Sequence, residues 1–334
     1  MSDIRVGLVG CGGMGRSLVG QLVTIDGARL VGGADPAAES RELLANEHNV
    51  PIFSSFAEMA ANTELDAVIV ASPNRFHRPN TVEAAQAGKH VFCEKPMALT
   101  LEDCQAMIDA CRAAGVKLQI GQVLRYLPDF AHAIEVVQSG QLGEVKHGMI
   151  FRYGGPRAHW GQSWRDDQSI VGHYIFEVAV HEIDFARQVF GCPVAVTGWD
   201  QSFDPASPLW SRATTWVIEF ENGGVCLLVE GMFNPIGRSE VELAGTAGAL
   251  RFGWGGTHIY KASSGEESSE TESSVIAAGR ESGLRRELRE WIEAIQNDTP
   301  CTIPGEEGMA NIEVALAVLE SARRKARVEL PLRA

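Results

Sequence analysis

The sequence predicts an α/β protein in two parts: a doubly wound parallel sheet over residues 1–122, then, over 123–334, an α+β domain with an open, mainly antiparallel sheet. Three observations predict it. Up to about residue 121, short apolar runs alternate with helix-like stretches, as they do when crossover helices bury a sheet on both faces. Beyond Gly143 the texture changes, and Thr214, Trp216, Ile218 and Phe220 fall on one face of an alternating segment, the mark of a sheet with one covered side. Finally, 334 residues at 45% hydrophobic content exceed the usual span of one domain.

The first five strands read as 4–9, 28–34, 67–71, 90–93 and 117–120, with a helix over 17–23 behind the first and a connecting helix after Pro128. In the second part, Glu221-Asn222-Gly223-Gly224 supplies the positive-φ residues of a tight hairpin between 214–220 and 225–229, and further short strands follow at 238–261. The stretch 263–274, rich in Ser, Glu and Gly, has no large apolar side chain to bury and reads as a solvated loop. Two helices close the chain, one marked by Leu284, Leu288, Trp291, Ile292 and Ile295, the other by Met309, Ile312, Leu316 and Leu319. Both are candidates to fold back onto the first domain. There is no internal repeat.

Composition narrows the function classes. With 29 basic against 43 acidic residues the net charge is −14, and no basic run breaks the trend, which argues against nucleic acid and anionic membranes as partners. Seven cysteines lie scattered without a Cys-x-x-Cys pair, which favours a reducing compartment and argues against a zinc cage. With no signal-like segment and no long apolar span, the chain reads as cytoplasmic.

The chemistry begins at Gly10-Cys11-Gly12-Gly13-Met14-Gly15, a G-x-G-x-x-G turn between the first strand and its helix. The first glycine permits a tight turn, the second lets backbone approach a pyrophosphate, and the third lets helix and strand pack closely. Asp35 ends the second strand, 20 residues beyond Gly15, where a carboxylate accepts hydrogen bonds from an adenosine ribose and repels a 2′-phosphate. This is the fingerprint of a Rossmann domain binding NAD rather than NADP. The plainer alternative is a βα turn tightened by glycine, with Asp35 capping the next helix.

At the C-terminal end of the 90–93 strand stands Glu94-Lys95-Pro96. Open α/β sheets bind ligands at that edge, and a lysine there can face a nicotinamide or simply point into water. Together, Ala71-Ser72-Pro73-Asn74-Arg75-Phe76-His77 and Ala87 through Pro96 resemble the glucose-fructose oxidoreductase, inositol dehydrogenase and rhizopine-catabolism (Gfo/Idh/MocA) family. Gly143-Glu144-Val145, His181-Glu182-Ile183-Asp184 and Ser321-Ala322 extend the resemblance over the whole chain. The resemblance implies a catalytic Lys95 followed by a cis peptide bond, and cofactor contacts from Gly10, Gly12, Gly13, Met14, Gly15, Asp35, Ser72, Asn74, His77, Glu94 and Lys95. It also implies oligomer contacts through the open sheet, as a homodimer or homotetramer.

Residues 175–190 read as a strongly apolar helix interrupted by Glu177, His181 and Asp184 at spacings of four and three, which puts the three on one face. The family places a histidine at His181 and commonly an Asp where this chain has Glu177. The extra methylene leaves the acid's contact open between His181, Lys95 and substrate. As an alternative, the stripe is a solvated face or an internal network. A metal site is not indicated, since His181-Glu182 lacks the second histidine of the zinc helix.

Oxidation of a carbinol needs a proton acceptor and donors for the developing alkoxide. His181 and Lys95 can divide these roles in either order, with Glu177 orienting. Tyr153, Arg157, His159, Trp160 and Trp164 lie in a stretch dense in aromatic and hydrogen-bonding groups, suited to a small polyhydroxylated substrate, although the tryptophans can equally be core or subunit anchors. Arg125 sits where the family's pocket begins, or forms an interdomain ion pair. The leading expectation is an NAD-dependent dehydrogenase acting on a secondary hydroxyl of an inositol, sugar or glycoside. The rivals are an NAD-dependent glycosidase working by transient oxidation and elimination, and a non-catalytic NAD-responsive binding protein.

Overall fold

Strand β1 (Ile4–Val9) is buried from Val6 onward, so it must lie inside a sheet covered on both sides. The computed structural model describes residues 3–155, 164–203, 212–253, 256–261, 267–268 and 281–332. In it, β1 is flanked by β2 (Ala28–Ala34) and β4 (Ala67–Val70), and the six-stranded sheet runs β3-β2-β1-β4-β5-β6, all parallel. The other strands are β3 (Ile52–Phe53), β5 (His90–Cys93) and β6 (Leu118–Ile120). Sequence order reverses at β1, so the exits of β1 and β4 form the switch point where such sheets bind ligands. The two-residue β3 is too short for a readable apolar run.

Helices α1 (Gly13–Leu22), α2 (Ala38–His48), α3 (Phe56–Asn62), α4 (His77–Gln86) and α5 (Leu101–Ala114) make the connections. Local chemistry sets their ends: at α5 the Thr100 hydroxyl accepts from the Asp103 amide at 3.1 Å, and Gly115, at φ 65°, closes the helix. Helix α9 (Gly283–Gln296) completes this core, its Leu288, Trp291 and Ile292 packing with Val6, Leu8, Ile69 and Phe92. The Trp291 ring lies 5.7 Å from that of Phe92. A fully buried tryptophan removes roughly 200 Å² from water, at most about 5 kcal/mol of stabilisation. The first unit comprises residues 1–123, 169–172 and 281–312.

The second unit comprises residues 124–168, 173–280 and 313–334. Its described strands are β7 (Val145–Tyr153), β8 (Pro193–Ser202), β9 (Arg212–Phe220), β10 (Val225–Gly231), β11 (Arg238–Gly245), β12 (Gly248–Gly253), β13 (His258–Lys261), β14 (Glu267–Ser268) and β15 (Val328–Glu329), in the order β14-β13-β12-β11-β7-β10-β9-β8-β15. Pairing is antiparallel except between β7 and β10. As the alternation predicts, Thr214, Trp216, Ile218 and Phe220 are buried. They lie on the face covered by helices, where Phe130 of α6 (Pro128–Gln138) meets Phe185 of α8 (Val180–Phe190) at 5.0 Å and Phe252 of β12 at 4.8 Å. The hairpin turns at Gly223, φ 77°. Of the stretch 263–274 only β14 lies within the described residues. The last helix, α10, is Gly305–Arg324. Among the described residues no helix is long and apolar enough to cross a membrane.

Candidate active site

The glycine turn has the geometry its spacing predicts. Gly10 adopts φ 96°, and a Cβ there would sit 2.5 Å from the backbone of Ala71 and Ser72; a Cβ on Gly15 would come within 2.0 Å of the Gly10 carbonyl. At Gly12 and Gly13 the same position meets open space, Met14 is exposed, and no side chain caps the start of α1. Bare amides at a helix N-terminus with nothing over them form a cradle for a pyrophosphate. At the exit of β2, Asp35 accepts from the Cys11 amide at 2.9 Å through Oδ2 and from the Ala37 amide at 2.8 Å through Oδ1. It thereby ties the cradle to the next βα turn. These residues fit NAD.

Three of the other expected cofactor contacts are also tied to the fold. Asn74 is buried, its amide donating to the Val171 carbonyl at 3.1 Å. His77 is buried with both ring nitrogens 2.7 Å from backbone carbonyls, those of Ser72 and Pro96, and so clamps the loop after β4 to the one after β5. Glu94 is buried and accepts from the Lys95 amide at 3.1 Å. These bonds hold the three side chains in place at the exits of β4 and β5, the edge where a nucleotide binds in such sheets. Ser72 stays near the surface, its hydroxyl accepting from Asn80 Nδ2 at 2.9 Å. Lys95 itself is half-buried just past β5, and its bond to Pro96 is cis. Next to it, burial pushes the Cys93 thiol far above its ordinary range, which leaves it unreactive.

The polar stripe of the second unit is built differently from a straight helix. Residues Ile175–Ala179 form a π-helical turn running into α8, an arrangement that often marks functional sites. Glu177 lies in this turn and accepts from Arg165 Nε at 2.9 Å. The guanidinium of Arg165 lies 4.4 Å over the Trp164 ring. His181 follows on α8, half-buried. Asp184 departs from the expected stripe: it is fully buried and accepts from both Nε and Nη2 of Arg125 at 2.6 Å. Arg125 therefore has an ion pair inside the second unit. Tyr153 ends β7 half-buried, its ring 5.2 Å from that of Phe233. Arg157, His159 and Trp160 lie outside the described residues.

Two further polar groups escaped the sequence reading. Just before the π turn, His173 Nε2 meets Asp200 Oδ2 at 3.1 Å, and Arg212 donates to Asp200 through Nε at 2.8 Å and through Nη2. Burial alone would raise the Asp200 carboxyl, but its bonds to His173 and Arg212 outweigh it and hold the carboxyl at about 2. Arg165, the partner of Glu177, also went unrecognised. It lies 12 residues upstream, across the stretch before α7 (Gln168–Val171), and no local pattern pairs the two.

Residues 4–122 match the NAD-binding Rossmann domain of the Gfo/Idh/MocA oxidoreductase family, and residues 134–330 match its C-terminal α/β domain. The chain belongs to this family. Among Gfo/Idh/MocA relatives, D-glucoside 3-dehydrogenase of Escherichia coli is 28% identical over 98% of both chains. A second E. coli protein, 2,7-anhydro-N-acetylneuraminate hydratase, is 29% identical over 79% of this chain and 74% of its own. The structure of aldose-aldose oxidoreductase from Caulobacter crescentus, complexed with glycerol, is similar with a TM-score of 0.86 at 25% identity, over 98% of this chain and 100% of that one.

Proposed function

We propose that this oxidoreductase is an NAD-dependent dehydrogenase that oxidises a secondary hydroxyl of an inositol, sugar or glycoside to a ketone, or catalyses the reverse reduction. The observation that carries the reading is Lys95, half-buried at the exit of β5 in the family's nucleotide-binding domain. End-to-end similarity to D-glucoside 3-dehydrogenase supports the substrate class.

NAD, when bound, supplies the nicotinamide that accepts hydride. Gly10 to Gly15 hold its pyrophosphate, and Asp35 holds the adenosine ribose and disfavours NADP. Lys95 donates a hydrogen bond to the reacting oxygen and stabilises its developing charge. His181 takes the hydroxyl proton, and Glu177, fixed by Arg165, orients the imidazole. Tyr153 and Trp164 offer apolar faces to the substrate's ring, joined by Arg157, His159 and Trp160. The half-exposed face of the second unit's sheet, with Trp199 at its surface, supports a homodimer or homotetramer.

A second reading is favoured by the hydratase among the relatives: adding or removing water leaves substrate oxidation state unchanged, so a sugar can be oxidised transiently and restored, as an NAD-dependent glycosidase would do. The test is an NAD-reduction screen at alkaline pH over inositols, monosaccharides and glycosides, with products analysed for released aglycone. NADH formed with one polyol or sugar supports the dehydrogenase, and product without NADH supports the redox-neutral reading. Tight NAD binding with no turnover on the whole panel overturns both.

A further inference from the structure

Beneath α8 lies a row of polar groups the mechanism does not use. On the helix-covered face of the second unit's sheet, Arg152 of β7 stands in register with Glu230 of the parallel strand β10, which in turn stands opposite Thr214 of β9. From above, Glu182 of α8 reaches down, and its Oε1 accepts from Arg152 Nη1 at 2.6 Å. Glu182 is 1% exposed and Glu230 is 0% exposed. Neither carboxyl oxygen of Glu230 has a hydrogen-bond partner, nor does Oε2 of Glu182.

Charge and hydrogen bonding point to the same solution. Two ionised carboxylates against one guanidinium would leave a net negative charge in a dry interior, at a cost of several kcal/mol. One proton removes that charge. Placed on Glu230, it also creates the donor that Glu182 Oε2 lacks, so a single proton pairs one oxygen of each carboxyl. The groups facing Glu230 are Glu182 from α8, Arg152 from β7 and Thr214 from β9, with Tyr174, before the π turn, also facing Arg152. Burial, first, and then Glu182 push the Glu230 carboxyl well above its ordinary range, against the opposing pull of Arg152.

We propose that Glu230 is a neutral carboxylic acid at working pH, that its O–H donates to Glu182 Oε2, and that the chain Arg152–Glu182–Glu230 is a positioning device for His181, the residue next to Glu182 on α8. The last step rests on the proposed role of His181. Glu182 and Glu230 touch neither substrate nor cofactor in this scheme. They anchor α8 to two neighbouring strands at the one turn that must present the imidazole. The anchor is chemically distinct from the apolar contacts of Phe185 and Phe190 further along the helix, because it depends on one held proton.

The test uses the full-length chain with Glu230→Gln, Glu230→Leu and His181→Ala. Infrared difference spectra at neutral pH, wild type minus Glu230→Gln, are expected to show a protonated-carboxyl stretch that shifts in D2O and that His181→Ala minus Glu230→Gln retains; the equally buried Glu287 is common to all three proteins and cancels. With the substrate found by the NAD-reduction screen, Glu230→Gln, a neutral donor of the same shape, is expected to keep kcat within about threefold. Glu230→Leu is expected to lower kcat on the order of 10- to 100-fold with NADH affinity unchanged. A wild-type minus Glu230→Gln difference spectrum without the band overturns the proposal. So does a Glu230→Leu protein that folds and turns over like the wild type. If His181→Ala is fully active while the band behaves as expected, the role of His181 is what fails. Should Glu230→Leu not fold, the spectra and the kinetics of Glu230→Gln still decide.

Discussion

Replacing Asp35 by alanine tests the cofactor half of the site without knowledge of the substrate. Its carboxylate accepts from the Cys11 amide at 2.9 Å and from the Ala37 amide at 2.8 Å. Ala37 is exposed, so water replaces the lost acceptor there at little cost. Cys11 is 0% exposed, and an amide stranded in that position costs about 1–3 kcal/mol. That loss falls on the unliganded protein as a lowered melting temperature. The bond from the ribose to a charged acceptor is a separate term of about 1.5–3 kcal/mol, or roughly 10- to 150-fold in affinity. Titration of NADH fluorescence is therefore expected to show weakening of that order in Asp35→Ala, with a smaller effect on NADPH, because removing the carboxylate also removes repulsion of the 2′-phosphate. NADH affinity within about threefold of wild type, with an unchanged NADH to NADPH ratio, would refute the assignment.

Other perturbations address the second unit and the lysine. Lys95→Ala is expected to abolish turnover while NADH still binds; a fully active variant removes the proposed mechanism. Arg125→Met removes the two-pronged cationic partner of the buried Asp184 carboxylate and is expected to cost about 3–5 kcal/mol in denaturant unfolding, much of it recovered in Arg125→Met/Asp184→Leu. A single-variant loss below about 1 kcal/mol contradicts the buried pair. Asp200, held at about 2 against an ordinary 3.8, contributes stability that is complete above the unfolded value and lost as pH falls through the folded one. The stability difference between wild type and Asp200→Asn should therefore be level above about pH 5 and shrink as pH falls from about 4 to 2; a difference that grows on acidification contradicts the pairing with His173 and Arg212.

What was legible in the sequence follows the range over which each signal acts. Strands β1, β2, β4 and β5 are buried over most of their length, so each shows as a short, mainly apolar run, and the glycine turn between β1 and α1 shows through its spacing alone. The alternation in β9 revealed which face is covered, but alternation carries no information about a neighbour's direction, so the parallel pairing of β7 with β10 was invisible. The π turn has no local signature either. Side-chain roles were least legible where partners are distant: Asn74 finds Val171 97 residues away, and Arg125 finds Asp184 59 residues away. Residue type announced that these groups would need a partner, and only the fold could say which.

Helix α9 bears on the order in which the molecule can assemble. Its Leu288, Trp291 and Ile292 fill the same core as β1, β4 and β5, yet they leave the ribosome only after nearly the whole second unit has been synthesised. The nascent nucleotide-binding unit thus spends most of translation with an uncovered apolar face beside Phe92, where a large part of its burial is missing. Folding cannot proceed domain by domain from the N-terminus. An N-terminal fragment ending near residue 122 would expose that face to other chains, and the exposed interval during synthesis is where this protein would depend most on chaperones and be most prone to aggregate.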